Sequence, residues 1–236
     1  MRLLHIVATP RTHESNTIRV SNVVIEELFL KYEDLAVNVL NLFKADLPAV
    51  AGDNIESKYK LMTGQELDNH HKASWDAIEA NIERFLDADI FLVTTPMWNF
   101  GIPYALKYYI DAIVQPGYLY RYNEHGIPEG LVRGKKMIVV TSRGGDYSPN
   151  SPLQSLDFVE PYLRTIFNFV GITDIHFINA QPMDISPAAR RDALLKAIDE
   201  ARTIVASKNW DSHESMESVE FPEGVKPAPL ETSLNN

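Results

Sequence analysis

Residues 90–111 read IFLVTTPMWNFGIPYALKYYID, and this stretch decides the fold. Ile90 to Thr95 is a short apolar, β-branched run, the composition of a strand buried on both faces of a parallel sheet. Pro96 stops the run, Gly101 and Pro103 turn the chain, and Tyr104 to Asp111 begins a helix. In between, Met97, Trp98 and Phe100 crowd three large apolar side chains around Asn99 in a loop. Burying such groups in a loop requires something flat to cover them. Open α/β sheets bind ligands beyond the carboxyl ends of their strands, so this loop is the expected seat of a planar cofactor.

Upstream, Leu3 to Ala8 is apolar except for His5 and ends at Thr9-Pro10, which predicts a central first strand. The loop that follows, TPRTHESNT over residues 9–17, holds four hydroxyl residues, an Asn and an Arg. It runs into a helical pattern with Val20, Val23, Val24, Leu28 and Phe29 at apolar positions, and Ser15, Asn16 or Thr17 is the expected N-cap. Strand, hydroxyl-rich loop and helix N-terminus together make a phosphate site, because free N–H groups and the positive end of the helix dipole face the anion. The same residues also describe a capped helix with a polar loop and no ligand. Val37 to Phe43 alternates as a second strand. Ala45 to Ser74 reads as a long irregular connection, a length that is usually functional or carries short elements of its own. Its adjacent histidines, His70 and His71, point in different directions on a helix; the pair reads as solvated and no metal site is expected. Trp75, Ile78, Ile82, Phe85 and Leu86 follow at helical spacing, their aromatic rings assigned to the core.

Downstream, PGYLYRYNEHGIP over residues 116–128 alternates Tyr118, Tyr120 and Tyr122 before a turn at Asn123 to Gly126, the pattern of a hairpin outside the main sheet. Its aromatics are candidates to roof a site or form a subunit contact, and Tyr120 and Tyr122 are the expected substrate-side residues. Met137 to Thr141 is the fourth strand, ending in Ser142-Arg143-Gly144-Gly145. Two glycines at a strand end let the backbone approach a ligand, although a double Gly also describes an ordinary turn. Phe158 to Val170 is helical and closed by Gly171, Ile172 to Ala180 is the fifth strand, and Ala188 to Ala206 is the last helix after Ser186-Pro187. From Lys208 onward the pattern breaks into Asp211, Glu214, Glu217, Glu220, Glu223 and Glu231 against Lys208 and Lys226, with three prolines. The expected organisation is one domain over residues 1–206 and a loosely held acidic tail over 207–236.

Bulk properties narrow the chemistry. With 45% hydrophobic and 23% charged residues, the 236-residue chain has the composition of an ordinary globular protein. A formal net charge of -10 repels phosphate backbones and anionic lipid, so neither nucleic acid nor membrane is an expected partner. There is no cysteine, which excludes disulfides, thiolate catalysis and cysteine-held metal clusters. The apolar run LLHIVA is shorter than a signal peptide requires and nothing approaches a membrane span, so the expected location is cytoplasmic.

Five strands separated by helical segments mean a three-layer α/β fold around a doubly wound parallel sheet. In the flavodoxin-like order 2-1-3-4-5, strands 1, 3 and 4 are neighbours and the topological switch lies between 1 and 3. The hydroxyl-rich, aromatic and Gly-rich loops then converge on one crevice. Flavin mononucleotide matches it best, with phosphate on the first loop and ring between the other two. Backbone N–H groups fixed near N1 and O2 would favour hydride uptake at N5. No G-x-G-x-x-G or Walker A sequence competes.

At these residues the chain resembles the FMN-dependent NAD(P)H azoreductases and quinone reductases of the flavodoxin-like superfamily, over about residues 1–206. PMWNFGIPYALKYYID is similar to the family's flavin loop and helix, SRGG at 142–145 to its second flavin loop, and YRYNEHGIPEGLVRGKK at 120–136 to its connecting segment. The resemblance implies a homodimer with two flavin sites at the interface, NADH or NADPH as donor, and ping-pong two-electron transfer to quinones, azo compounds or similar flat electrophiles. Carried over by position, Thr9, Arg11, Ser15, Asn16 and Thr17 would hold the phosphate and ribityl end. Pro96, Met97, Trp98, Asn99 and Phe100 would lie along the ring, and Ser142, Arg143, Gly144 and Gly145 would meet its pyrimidine end. Asn99 and Tyr147 are the candidate catalytic residues, neither an obligate acid or base. Many relatives have a His two residues after SRGG, where this chain has Asp146-Tyr147. The Tyr147 hydroxyl offers a donor to the reduced ring, whereas Asp146, if turned inward, opposes negative charge there. Two other readings stand beside this one: a flavodoxin-like FMN electron carrier, and an interaction protein without flavin.

Overall fold

In the computed structural model, which describes residues 1–11, 15–63 and 65–211, helices cover both faces of a parallel sheet. In chain order the first elements are β1 (Arg2–Val7), α1 (Asn16–Lys31), β2 (Ala36–Asn41), α2 (Asp53–Met62), α3 (Asn69–Leu86), β3 (Ile90–Pro96) and α4 (Tyr104–Ile113). They are followed by β4 (Tyr120–Tyr122), β5 (Pro128–Gly130), β6 (Lys136–Ser142), α5 (Glu160–Val170), β7 (Asp174–Ala180) and α6 (Pro187–Ser207). The five-stranded sheet runs β2-β1-β3-β6-β7, all parallel, which is the flavodoxin-like 2-1-3-4-5 order because β4 and β5 form a separate antiparallel hairpin.

Side-chain alternation divides the core in two. Ile90 and Leu92 of β3 join Ile138 and Val140 of β6 against Val20, Val24 and Leu28 of α1 and Ala193, Ala197 and Ala201 of α6. Phe91 and Val93, with Met137 and Val139, face Ile78, Ile82 and Phe85 of α3, Leu106 of α4 and Phe167 of α5. A strand with helices on both sides needs apolar residues at every position, hence the unbroken run at 90–93. Gly171 closes α5 in the left-handed region at φ 107, where a Cβ would be strained. Among the described residues, no helix is long and apolar enough to cross a membrane.

Two parts of the chain are more ordered than their sequence suggests. The connection 45–74 contains α2 and the start of α3, where the Asp68 carboxylate accepts the N–H groups of His70 and His71 at 3.1 and 3.0 Å. His71 is not solvated. Its Nδ1 lies 2.8 Å from Asp68 Oδ1 and its Nε2 3.3 Å from Glu56 Oε2 of α2, and these carboxylates raise its pKa. The imidazole thus joins α2 to α3, a role set by the helix pairing and not by local spacing. Beyond α6, Trp210 is fully buried, its Nε1 donating to the Val205 carbonyl at 3.2 Å and its N–H to the Tyr32 hydroxyl at 2.7 Å. Lys31 Nζ donates to the carbonyls of Val205 and Ala206 at 2.9 and 3.2 Å and so closes the end of α6. Packed chain therefore continues to Trp210, Asp211 is exposed, and the rest of the acidic stretch, residues 212–236, lies outside the described residues.

Trp210→Ala is expected to lower stability by about 3–5 kcal/mol, the usual range for emptying a large aromatic site, as measured by urea denaturation. A change below about 1 kcal/mol would show that this segment is not part of the cooperative core. His5 of β1 is buried with Nε2 2.8 Å from Thr94 Oγ1, and burial pushes its pKa from 6.5 down to about 4. The unfolded chain takes up the proton first, so this group's contribution to stability is fully present above about pH 6.5 and falls as the pH drops toward 4. The loss amounts to about 3 kcal/mol. Subtracting the pH–stability curve of His5→Gln from that of the wild type should isolate a decline in that window, and a flat difference would refute it.

Candidate functional site at the carboxyl edge of the sheet

A crevice of about 230 Å³ opens where β1, β3 and β6 end. Thr9, Arg11, Ser15, Asn16 and Thr17 line it from the first loop, Pro96, Met97 and Trp98 from the second, and Ser142, Arg143 and Gly144 from the third. These are eleven of the expected cofactor residues, drawn together from three separate parts of the chain. Asn99, Phe100 and Gly145 belong to the same loops without lining the crevice.

The first loop ends on Ser15, the N-cap of α1, whose Oγ accepts the Ile18 N–H at 3.4 Å and pairs with Thr17 Oγ1 at 2.7 Å. Thr9 Oγ1 accepts the Arg11 N–H at 3.3 Å. The first-turn amides of Asn16 and Thr17 have no intrahelical acceptor, and with the helix dipole and Arg11 they make this end of the crevice an anion-binding pole.

The second loop departs from the β3–β6 ladder, which ends with Pro96 opposite Ser142 and one further bond from the Met97 N–H to the Ser142 carbonyl at 2.9 Å. Trp98 and Gly101 then exchange two backbone hydrogen bonds of 2.9 and 3.0 Å around Asn99 and Phe100, at φ 48 and 69. Two central residues with positive φ make a tight hairpin turn. The turn therefore lies at Asn99-Phe100, earlier in the chain than the Gly101 and Pro103 that the sequence suggests. Asn tolerates that conformation, but Phe does not readily, so Phe100 stores strain of order 1–3 kcal/mol. The Phe158 N–H, which donates to the Phe100 carbonyl at 3.0 Å, helps hold it. Phe43, just past β2, packs its ring 5.9 Å from that of Trp98.

The third loop is laid against the segment after β7. The Arg143 N–H donates to the Ala180 carbonyl at 3.0 Å, the Met183 N–H to the Arg143 carbonyl at 2.9 Å and the Asp184 N–H to the Gly144 carbonyl at 3.0 Å, across a cis Gln181–Pro182 bond. Neither glycine is in the left-handed region; a Cβ on Gly144 would stand 2.6 Å from Asp184 Oδ2, and one on Gly145 2.7 Å from Leu153 Cδ1. Their smallness thus makes room for neighbouring protein. Arg143 lines the crevice while its guanidinium is engaged inside the protein, donating to Asp157 at 2.7 Å and to Thr141 Oγ1 at 3.0 Å. Alternation along β6 explains why, because Met137, Val139, Thr141 and Arg143 share the face toward α5.

The expected catalytic pair, Asn99 and Tyr147, sits in the bordering loops and not in the lining. Tyr147 donates its backbone N–H to Gln181 Oε1 at 3.1 Å. Asp146 is turned into its own bend, where the Ser148 side chain and then its N–H, which donates at 2.9 Å, hold the carboxyl below the usual range. Tyr120 and Tyr122 are not brought to the crevice within this chain. Tyr120 packs on Phe169, 4.7 Å between rings, near the carboxyl ends of α4 and α5, while the crevice lies at the amino ends. Gly130 fixes the hairpin there, since a Cβ would come 2.4 Å from Gly171 N. Met183 and Asp184 line the crevice unannounced by any motif. Their signal was topological, since the fifth strand ends beside the fourth.

A doubly wound sheet whose neighbouring strand ends converge on an anion pole and a slot defines a flavodoxin-like protein. The model of the family described as having a flavodoxin-like fold matches residues 1–205. An FMN-dependent NADH:quinone oxidoreductase of Nitratidesulfovibrio vulgaris is 35% identical over 200 residues, covering 83% of this chain and 95% of that protein. One from Pseudomonas syringae pv. tomato is 33% identical over 207 residues, covering 88% and 99%. An FMN-dependent NADH-azoreductase of Bacillus anthracis, solved in complex with FMN, is 25% identical with a TM-score of 0.77, covering 87% and 98%. The chain belongs to the flavodoxin-like oxidoreductase family that contains these proteins.

Phe100→Gly should leave stability unchanged or raise it by up to about 1 kcal/mol, because Gly adopts this φ without penalty. Phe91→Gly, at a fully buried site, should instead cost at least about 3–5 kcal/mol. Denaturation of the two variants in parallel checks this, and a loss of more than about 2 kcal/mol at Phe100 would show that its conformation is not strained.

Proposed function

We propose that this protein is an FMN-dependent NAD(P)H oxidoreductase acting on quinones, azo compounds or similar flat electrophiles. One observation carries the reading: a helix N-terminus with hydroxyls and Arg11 shares a crevice with a slot walled by residues 96–98 and 142–144. The chemistry of that donor set fits the group. Ser15, Asn16, Thr17 and Arg11 would hold a phosphate. Pro96, Met97 and Trp98 would lie along the ring, and residues 142–145 would meet its pyrimidine end, where backbone N–H groups favour added negative charge. FMN held there would supply two-electron chemistry between a nicotinamide donor and the acceptor, in alternate, ping-pong half-reactions. The residues of this chain orient and shield. Trp98 and Phe100, both more than a third exposed beside the slot, offer flat apolar surface for donor and acceptor in turn.

The proposal includes a homodimer with the sites at its interface. An apolar groove of about 580 Å³, lined by Gly101, Ile102, Phe158, Pro161 and Tyr162, adjoins the Asn99-Phe100 turn. Tyr120 and Tyr122 can serve a crevice only from a second copy, given their place at the far end of α4 and α5.

The purified protein should show oxidised-flavin absorption that bleaches anaerobically with NADH or NADPH and returns with a quinone. It should sediment as a dimer. Bands that persist with both donors would make it an electron carrier, absence of bands after added FMN would overturn the flavin reading, and a fully active monomer would remove the second copy.

A further inference from the structure

The Arg143 guanidinium is a buried charge beside the crevice that the proposed chemistry leaves unused. Its side chain is 1% exposed. Nη1 donates to Asp157 Oδ2 at 2.7 Å and Nε to Thr141 Oγ1 at 3.0 Å, while Nη2, 3.8 Å from Glu160 Oε2, has no hydrogen-bond partner. Asp157 does not line the crevice. Its other oxygen accepts the N–H groups of Val159 and Glu160 at 2.9 and 3.2 Å and so caps the start of α5. Phe158, the next residue, donates its N–H to the carbonyl of Phe100 at 3.0 Å.

A continuous line of directed contacts thus runs from the loop after β6, through a buried ion pair, to the strained turn after β3. These loops form opposite walls of the slot, joined at its base by the Met97 to Ser142 bond. Removing one member of a buried pair leaves an uncompensated charge, so the cost falls on whatever the pair holds in place. A lysine keeps the charge but cannot fork toward Thr141 and Asp157 together.

We propose that Arg143 is a positioning residue: while its main chain lies in the crevice wall, its guanidinium holds the Asn99-Phe100 turn, and with it the slot, through Asp157 and Phe158 and without itself touching bound FMN. The proposal rests on the FMN reading for its consequence, but its mechanical part concerns this chain alone. Two measurements separate them, FMN affinity by fluorescence titration and hydrogen exchange of residues 97–104 in the FMN-free protein. Arg143→Lys, Arg143→Met and Asp157→Asn should each weaken FMN binding at least tenfold and speed exchange at 97–104. The double variant Arg143→Met/Asp157→Asn should bind no more weakly than Arg143→Met, since both act through one contact. If Arg143→Met fails to fold, the Lys and Asn variants carry the test, because each retains the size and polarity of its site.

Wild-type affinity in Asp157→Asn beside lost affinity in Arg143→Met would make the guanidinium a direct ligand and overturn the proposal. Exchange accelerated throughout the sheet, or unchanged at 97–104, would overturn it equally. Should the wild type fail to bind FMN, the functional reading falls while the exchange data still decide the positioning role.

Discussion

The end of the β3–β6 ladder is the constraint on which the rest depends. Pro96 stands opposite Ser142, and the Met97 N–H adds a last rung to the Ser142 carbonyl at 2.9 Å before the two chains part. On the other side of β3, the Ala8 N–H reaches the Thr94 carbonyl at 2.8 Å, so β1 ends at nearly the same level. Parallel strands in this register release their loops side by side, and a topological switch keeps helices from covering the gap. Slipping any of these strands by one residue would exchange its side chains between the two packed cores and misfit both, so the apolar residues that stabilise the sheet also align the walls of the crevice.

Electrostatics gives the crevice a direction. The chain carries a net charge of -10, yet one end of this site combines Arg11 with the start of a 16-residue helix. An anion is repelled by the surface as a whole and attracted at that point, which favours a small phosphate over a polyanion. The other end is apolar and strained. Phe100 occupies a conformation better suited to Gly, and a backbone hydrogen bond from Phe158 helps to hold it there. Strain kept at a ligand site and balanced by the surrounding fold is a common form of preorganisation.

Much of this was legible because it is written locally. The unbroken run at 90–93, the hydroxyl-rich loop before α1 and the Gly171 stop each need only a few neighbouring residues to be read. The arrangement of strands followed from their alternation with helices. The direction of the Arg143 guanidinium is present in the sequence, since Met137, Val139 and Thr141 precede it at a spacing of two on the core face. The connection at 45–74 was underread because α2 has a weak apolar pattern and buries only Ser57. Its seat depends on contacts with α3, including Glu56 with His71.

The sequence by itself determined the fold class, the strand order and which loops meet at the crevice, because hydrophobic period and turn chemistry are short-range properties. Tertiary structure decided which atoms those loops present. It placed Arg143 on Asp157, Phe158 on Phe100, Met183 and Asp184 in the wall, and Tyr120 on Phe169 at the far end of the helices. The physical reason is that hydrogen bonds and ion pairs tolerate errors of a few tenths of an ångström, whereas residues far apart in sequence reach that precision only after whole helices have packed onto the sheet.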